Sequence, residues 1–225
     1  MRDSLAVILP AAGQSLRFGR NKLLEMLYGQ TVLARSTGAF LSRRDVAAVI
    51  IATRDEAAIR EGLGKLASDS RVKIVPGGEC RAMSVQAALS HVPAEIEWVA
   101  VHDAARPLVS QPLIDRTLAA AKEHGASAPA MQVALTVKQA AGPLPAKVEK
   151  TVPRATLWAM QTPQIAQRQA LIAAFKSCPI PLEQITDDMQ VLELAGQPVW
   201  LVEGEEMNLK ITTELDLLIA THVHK

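Results

Sequence analysis

The first half of the chain repeats one pattern, a short apolar run followed by a longer amphipathic one. Ala6 to Leu9 precedes Val32 to Leu41, and Val46 to Ala52 precedes Glu56 to Leu66. Val72 to Val75 then precedes Ala82 to Leu89, and Trp98 to Val101 precedes Leu113 to Ala121. Strands that alternate with helices in this way form βα units, and a strand covered on both faces needs no polar alternation. The expectation is an α/β fold with a single doubly wound, mostly parallel sheet. A length of 225 residues allows one domain, 1–225, with an ample core. Gln167 to Lys176, Asp187 to Leu194, Val199 to Val202 and Thr212 to His222 add two helices, a strand and a closing helix.

The rhythm breaks between Val137 and Pro153. There the segment Ala140-Ala141-Gly142-Pro143-Leu144-Pro145 is flanked by Lys138, Lys147 and Lys150. A Pro/Gly tip between two extended pieces predicts a protruding β-hairpin arm at about 136–153. Such an arm on a compact domain belongs to a partner subunit, so a homodimer is expected.

Several function classes are excluded early. With 24 Lys and Arg against 23 Asp and Glu, the formal net charge is +1, which advertises neither nucleic acid nor an anionic membrane as a partner. The two cysteines, Cys80 and Cys178, form no CxxC or Cys/His cluster, so reduced thiols in a cytoplasmic protein are expected. Leu5 to Pro10 is too short for a secretion signal, and no run approaches the roughly 20 apolar residues that span a bilayer.

In doubly wound sheets ligands collect at the carboxyl ends of the strands, and the turns there are chemically unusual. After Leu9, Ala11-Ala12-Gly13 lets backbone N–H groups approach a ligand, and Arg17 and Lys22 add two cations. A triphosphate calls for both, since backbone donors fix its oxygens while cations offset the charge that grows during reaction. Taken by itself, the same loop reads more readily as a Gly-containing turn with solvated surface cations. It matches neither G-x-x-x-x-G-K-[ST] nor G-x-G-x-x-G. After Val101 comes His102-Asp103-Ala104-Ala105-Arg106-Pro107, where Asp103 is either a ligand for Mg²⁺ bridging phosphates or a helix cap paired with Arg106. Gly77-Gly78-Glu79 with Ser84 suits the reading of a base edge, or is simply a turn. Farther on, Arg154, Thr162 and Lys210 sit in irregular stretches; Lys210 is read at a helix start, where a cation opposes the macrodipole. His102 is read as structural.

Taken in order, Leu9-Pro10-Ala11-Ala12-Gly13, His102-Asp103-Ala104-Ala105-Arg106-Pro107, Thr162-Pro163-Gln164 and Asn208-Leu209-Lys210-Ile211-Thr212 resemble the 2-C-methyl-D-erythritol 4-phosphate cytidylyltransferases nearly end to end. The resemblance implies a nucleotide-diphospho-sugar transferase-like fold. It also implies transfer of a cytidylyl group from CTP to 2-C-methyl-D-erythritol 4-phosphate, with Mg²⁺ as cofactor. It assigns Pro10, Ala11, Ala12, Gly13 and Ala104 to the nucleotide, and Arg17, Lys22 and Lys210 to catalysis. Gly78, Glu79 and Ser84 would surround cytosine, and Asp103 would stand near both metal and nucleotide. Arg106, Arg154, Thr162 and Lys210 would hold the acceptor, and Thr136 would reach it from the neighbouring subunit's arm.

The chain departs from the family pattern at Ser15, where a second Gly is usual, at Asn21, where Pro is usual, and at Met207, where an acid is common. Glu79 replaces the usual Asp. The implied chemistry is in-line displacement at the α-phosphorus, which needs no general base and accords with the lack of a Ser/His or Cys/His pair. The alternatives are transfer to another polyol phosphate such as ribitol 5-phosphate, and a catalytically inactive nucleotide-binding relative.

Overall fold

The computed structural model describes residues 4–13, 15 and 18–223. The chain opens with β1 (Leu5–Pro10), the short hairpin strands β2 (Met26–Leu27) and β3 (Gln30–Thr31), α1 (Val32–Leu41), β4 (Val46–Thr53) and α2 (Glu56–Leu63). It continues with β5 (Val72–Pro76), α3 (Arg81–Leu89), β6 (Trp98–Val101), α4 (Gln111–His124) and β7 (Ala126–Gln132). A second hairpin, β8 (Val137–Ala140) with β9 (Val148–Val152), precedes β10 (Trp158–Met160), β11 (Gln164–Gln167) and α5 (Arg168–Lys176). The remaining elements are α6 (Asp188–Leu194), β12 (Trp200–Glu203) and α7 (Glu214–Val223). None of these helices is long and apolar enough to cross a membrane.

The expected doubly wound sheet is present. β1 lies between β4 and β6, parallel to both, and β5 extends the sheet parallel to β4. Side chains of the central strands alternate between two cores. Leu5, Val7 and Leu9 of β1 join α1, α2, α4 and α7 on one face, through residues such as Phe40, Ile59, Ile114 and Ala220. Ala6 and Ile8 join α3, α5 and α6 on the other, through Val85, Phe175 and Leu192. Burial on both sides is why these strands read as continuous apolar runs. Side chains of Thr31, Asp55 and Ser110 cap α1, α2 and α4 by accepting from the third residue onward, as short polar residues before a helix do.

The other half of the sheet departs from the sequence reading. β11 runs antiparallel between β6 and β7, β10 pairs antiparallel with the end of β7, and β12 lies parallel on the opposite edge of β7. Strands β7, β10 and β11 are absent from the apolar pattern because β7, Ala-Ser-Ala-Pro-Ala-Met-Gln, holds mostly small or polar side chains, while β10, Trp-Ala-Met, and β11, Gln-Ile-Ala-Gln, are too short to form a run. Pro129, a poor central-strand residue, falls at the break between β10 and β11, where its carbonyl accepts from Gln161 N at 2.7 Å. That break carries the Gln161-Thr162-Pro163 turn, with a cis peptide before Pro163.

The β8–β9 hairpin forms a sheet of its own, separate from the central one. Its register runs from Val137 opposite Val152 to Ala140 opposite Val148. Leu135, Leu144 and Val148 are exposed along it.

Candidate active site

The carboxyl ends of β1, β4, β5 and β6 converge on one cleft. Pro10, Ala11, Ala12, Gly13, Ser15, Lys22, Gly78, Glu79, Ser84, Asp103, Ala104 and Lys210, all named from sequence, line it. Arg17 lies outside the described residues. The loop leaves β1 with Ala11 N donating to Ala52 O at 2.7 Å, then turns at Ser15, whose φ of 52° is left-handed. Its carbonyl accepts from Phe18 N and Gly19 N, which closes the loop. Lys22 opens a single 3₁₀ turn, Lys22–Leu24, capped by the Asn21 side chain accepting from Leu23 N.

The second wall is the turn after β5. Gly77 N donates to Thr53 O at 2.6 Å and Gly78 N to Ser84 Oγ at 3.1 Å. The Gly78 carbonyl accepts from both Nε and Nη2 of Arg54, at 3.1 and 3.0 Å. A Cβ at Gly77 would lie 2.6 Å from Ala12 Cβ, and one at Gly78 2.4 Å from Met83 Cβ. Both glycines are therefore required by close approach, and they press this turn against the phosphate-sized loop. Its outer end opens to a hollow lined by Arg54, Gly77, Gly78 and Glu79.

Asp103 is the electrostatic centre. Its Oδ2 lies 2.8 Å from Lys210 Nζ and 3.5 Å from Arg106 Nε, and its Oδ1 lies 3.2 Å from Arg81 Nε. Burial alone would raise its pKa, but the charges of Arg81, Lys210 and Arg106 outweigh it and hold the carboxyl well below its usual range. Arg106 is itself nearly buried, with Nη1 donating to Asn208 O at 2.6 Å. Lys210 precedes α7 by a full turn and does not cap it, contrary to the helix-start reading; its ammonium points at Asp103, so no macrodipole penalty arises.

Behind Asp103 stands a neutral histidine. Desolvation pushes the pKa of fully buried His102 down to about 4. Its Nε2 is 3.1 Å from Arg106 O, which only accepts, so Nε2 carries the hydrogen. Nδ1 must then accept from Thr162 Oγ1 at 3.0 Å, and that oxygen accepts Asp103 N–H at 3.1 Å. The structural reading of His102 follows from this chain. The Thr162 hydroxyl is spent within it, so Thr162 offers a wall and a fixed Asp103 rather than a spare donor.

A second cavity adjoins the first and shares Arg81, Asp103 and Lys210 with it. Arg106, Met160, Gln161, Thr162, Gln164, Thr186 and Asp187 complete its walls. Thr136 and Arg154 reach neither cavity of their own chain. Both are exposed beside the β8–β9 hairpin, where Arg154 Nη1 donates to Ala134 O. Met207 also lies apart, in a different hollow with Arg35 and Leu108. Sequence reasoning overlooked Arg81, although it lies within the unusual turn after β5. It overlooked Thr186-Asp187-Asp188 because polar residues before an apolar helix read as a cap, which Asp187 indeed is.

The donor set does not fit a metal held by the protein alone. Mg²⁺ needs carboxylate oxygens with open lone pairs, whereas Asp103 already faces three cations within 3.5 Å. No three His, Cys, Asp or Glu side chains come together among the described residues. Both carboxylate oxygens of Asp103 already face cations, so a Mg²⁺ here would depend on the nucleotide's phosphates as well.

A parallel-based α/β sheet with a backbone-lined, cationic cleft at its strand ends and a second cavity beside it fits a nucleotidyltransferase. The chain belongs to the 2-C-methyl-D-erythritol 4-phosphate cytidylyltransferase family (IspD), whose description matches residues 5–225. It is 41% identical over 223 residues to the 2-C-methyl-D-erythritol 4-phosphate cytidylyltransferase of Gloeobacter violaceus, covering 97% of this chain and 95% of that one. The crystal structure of the Francisella tularensis 2-C-methyl-D-erythritol 4-phosphate cytidylyltransferase is similar with a TM-score of 0.83 at 31% identity, covering 96% and 98% of the two chains. The bifunctional IspDF of Campylobacter jejuni is similar with a TM-score of 0.80 at 27% identity; 96% of this chain matches 53% of that one.

Proposed function

We propose that the two cavities are the donor and acceptor halves of one transfer site. The reaction moves a cytidylyl group from CTP to 2-C-methyl-D-erythritol 4-phosphate, giving 4-diphosphocytidyl-2-C-methyl-D-erythritol and pyrophosphate. The observation that carries the division is the sharing of Arg81, Asp103 and Lys210 by both cavities. A group bound in one is thereby within reach of a group bound in the other, through a common cluster of charge.

In this reading Pro10 to Gly13 line the triphosphate, while Gly78, Glu79 and Ser84 meet the base. A phosphate oxygen of the acceptor attacks the α-phosphorus of CTP, a new P–O bond forms in line, and the bond to pyrophosphate breaks. The attacking phosphate is already an anion, so no side chain need take a proton. Lys22, Arg17 and Lys210 offset the charge that gathers at the reacting phosphorus. Mg²⁺ would come with the nucleotide and neutralise charge on its phosphates, with Asp103 the carboxylate nearest to hand. Arg106 and Lys210 face the acceptor's phosphate, with Thr162 as the wall.

Thr136 and Arg154 contribute from the hairpin of a second copy, making the functional unit a homodimer. Their exposure at the base of a separate two-stranded sheet, away from their own chain's cavities, supports that reading. One domain with an arm, acting in the cytoplasm, accords with two unpaired cysteines.

The test is pyrophosphate release with CTP, Mg²⁺ and 2-C-methyl-D-erythritol 4-phosphate, with ribitol 5-phosphate and other nucleoside triphosphates in parallel. Release confined to CTP and the methylerythritol phosphate is expected. Release with ribitol phosphate, or none from a folded CTP-binding protein, would refute the assignment.

A further inference from the structure

We infer that Asp188 is a positioning residue for the transfer: from outside both cavities it pins Arg81 at their boundary and so leaves Asp103 to Lys210. This inference rests on the division into donor and acceptor halves proposed above.

Arg81 spends one edge of its guanidinium on two acids. Nη2 lies 2.8 Å from Asp188 Oδ2, and Nε lies 3.2 Å from Asp103 Oδ1. A guanidinium with one carboxylate to itself makes a two-pronged pair, which is the stronger arrangement. Splitting the edge denies Asp103 that pair. Asp103 Oδ2 is then open to the nearer approach of Lys210, at 2.8 Å. Without Asp188, Arg81 is free to close both prongs on Asp103 and compete with Lys210 for Oδ2.

Asp188 is suited to this task and to little else. It is fully buried, and beyond the ion pair neither carboxylate oxygen has a hydrogen-bond partner. Its main-chain N–H donates to Gln164 Oε1 at 2.9 Å, while Gln164 Nε2 donates to Asp187 Oδ2 at 3.1 Å. The start of α6 is thereby fixed to β11. Asp187 already caps α6, accepting from Gln190 N at 2.9 Å, so the helix has its cap without Asp188. A buried acid is costly to keep and is readily replaced by an apolar side chain where only packing matters. Holding Arg81 is a use that an apolar residue would not serve.

The experiment is steady-state kinetics on Asp188→Asn, Arg81→Lys and the double variant, with thermal melts to establish folding. Lysine keeps the charge of Arg81 but presents a single point that does not span both acids. In Asp188→Asn, kcat should fall about tenfold to a hundredfold, the loss usual when the group behind a working residue is removed, with the KM for CTP little changed. The double variant should lose no more than the worse single one, because one linkage is broken either way. Parental kcat in folded Asp188→Asn, or losses that multiply in the double variant, would overturn the inference. Should Asp188→Asn fail to fold, Arg81→Lys decides alone: a lowered kcat with the KM for CTP unchanged upholds the tether, whereas parental kcat or a raised KM ends it. The parent chain run alongside separates the failures, since a silent parent refutes the reaction, whereas an active parent with equally active variants refutes the tether.

Discussion

Replacing Asp103 by Asn tests the charge cluster at its centre. Arg81, Arg106 and Lys210 face Asp103 and Asp188, three positive charges against two negative, for a net +1. In Asp103→Asn the same groups sum to +2, with almost no change of shape. Breaking a buried ion pair by removing one partner costs about 3–5 kcal/mol. Lys210 is 39% exposed and is free to turn into water, which favours the low end. A loss of about 3 kcal/mol should lower the melting temperature of a domain this size by about 6–12 °C. The uncovered cations should then welcome an anion. Pyrophosphate should raise the melting temperature of the variant by more than it raises that of the parent, because linkage scales with affinity for the folded state. Turnover should fall even so, since phosphates would be held without the carboxylate that orders Arg106 and Lys210. Scanning calorimetry with and without pyrophosphate reads all of this except turnover. A variant that melts with the parent and gains no extra protection from pyrophosphate would refute the cluster as a balanced site.

Three further outcomes follow from the geometry. His102 has a folded pKa near 4 against an ordinary 6.5; its contribution of about 3 kcal/mol is therefore present above pH 6.5 and lost as pH falls toward 4, because the unfolded chain takes up the proton first. Denaturant titrations at pH 7 and 4.5 should show that slope, and His102→Gln should flatten it. Gly78→Ala would set a Cβ 2.4 Å from Met83 Cβ and displace the base-facing turn; the KM for CTP should rise about tenfold or more, and an unchanged KM would remove that turn from nucleotide binding. Deleting the hairpin between Val137 and Val152 should yield a folded monomer with little turnover, as read by light scattering and pyrophosphate release, whereas a dimer of parental activity would dissociate the arm from the site.

What the sequence made legible divides along the sheet. Strands β1, β4, β5 and β6 stand out because their side chains are nearly all apolar and helices cover both faces of the central ones. Strands β7, β10 and β11 do not, because β7, rich in Ala with Ser and Pro, gains its burial from neighbours the sequence does not announce, and β10 and β11 are too short to form a run. The cleft was legible for the same reason as the strands: its residues follow directly on the apolar runs. Arg81 and Asp188 were not, since what makes them notable is a meeting of residues 107 positions apart across a buried ion pair. No local pattern distinguishes that acid from an ordinary first-turn carboxylate.

The departures at Ser15, Asn21 and Met207 kept an inactive relative in view, and the structure weighs each differently. Asn21 has φ −69°, the value proline would impose, and its side chain supplies a cap that proline lacks, so Lys22 is presented from a fixed turn by other means. Met207 lies in a hollow away from both cavities, while its neighbour Asn208 does the ordering, donating to Thr162 O at 2.8 Å and accepting from Arg106. Only Ser15 carries a cost, since a side chain at φ 52° is about 1–2 kcal/mol less favourable than an ordinary backbone conformation. Glycine there would relieve that strain while adding about 0.5–1 kcal/mol of unfolded-state freedom. The second effect offsets about half of the first, leaving a net cost of about 1 kcal/mol. A serine that costs so little, in a loop closed by two hydrogen bonds to its own carbonyl, is compatible with a working site, and the case for an inactive relative loses its structural footing.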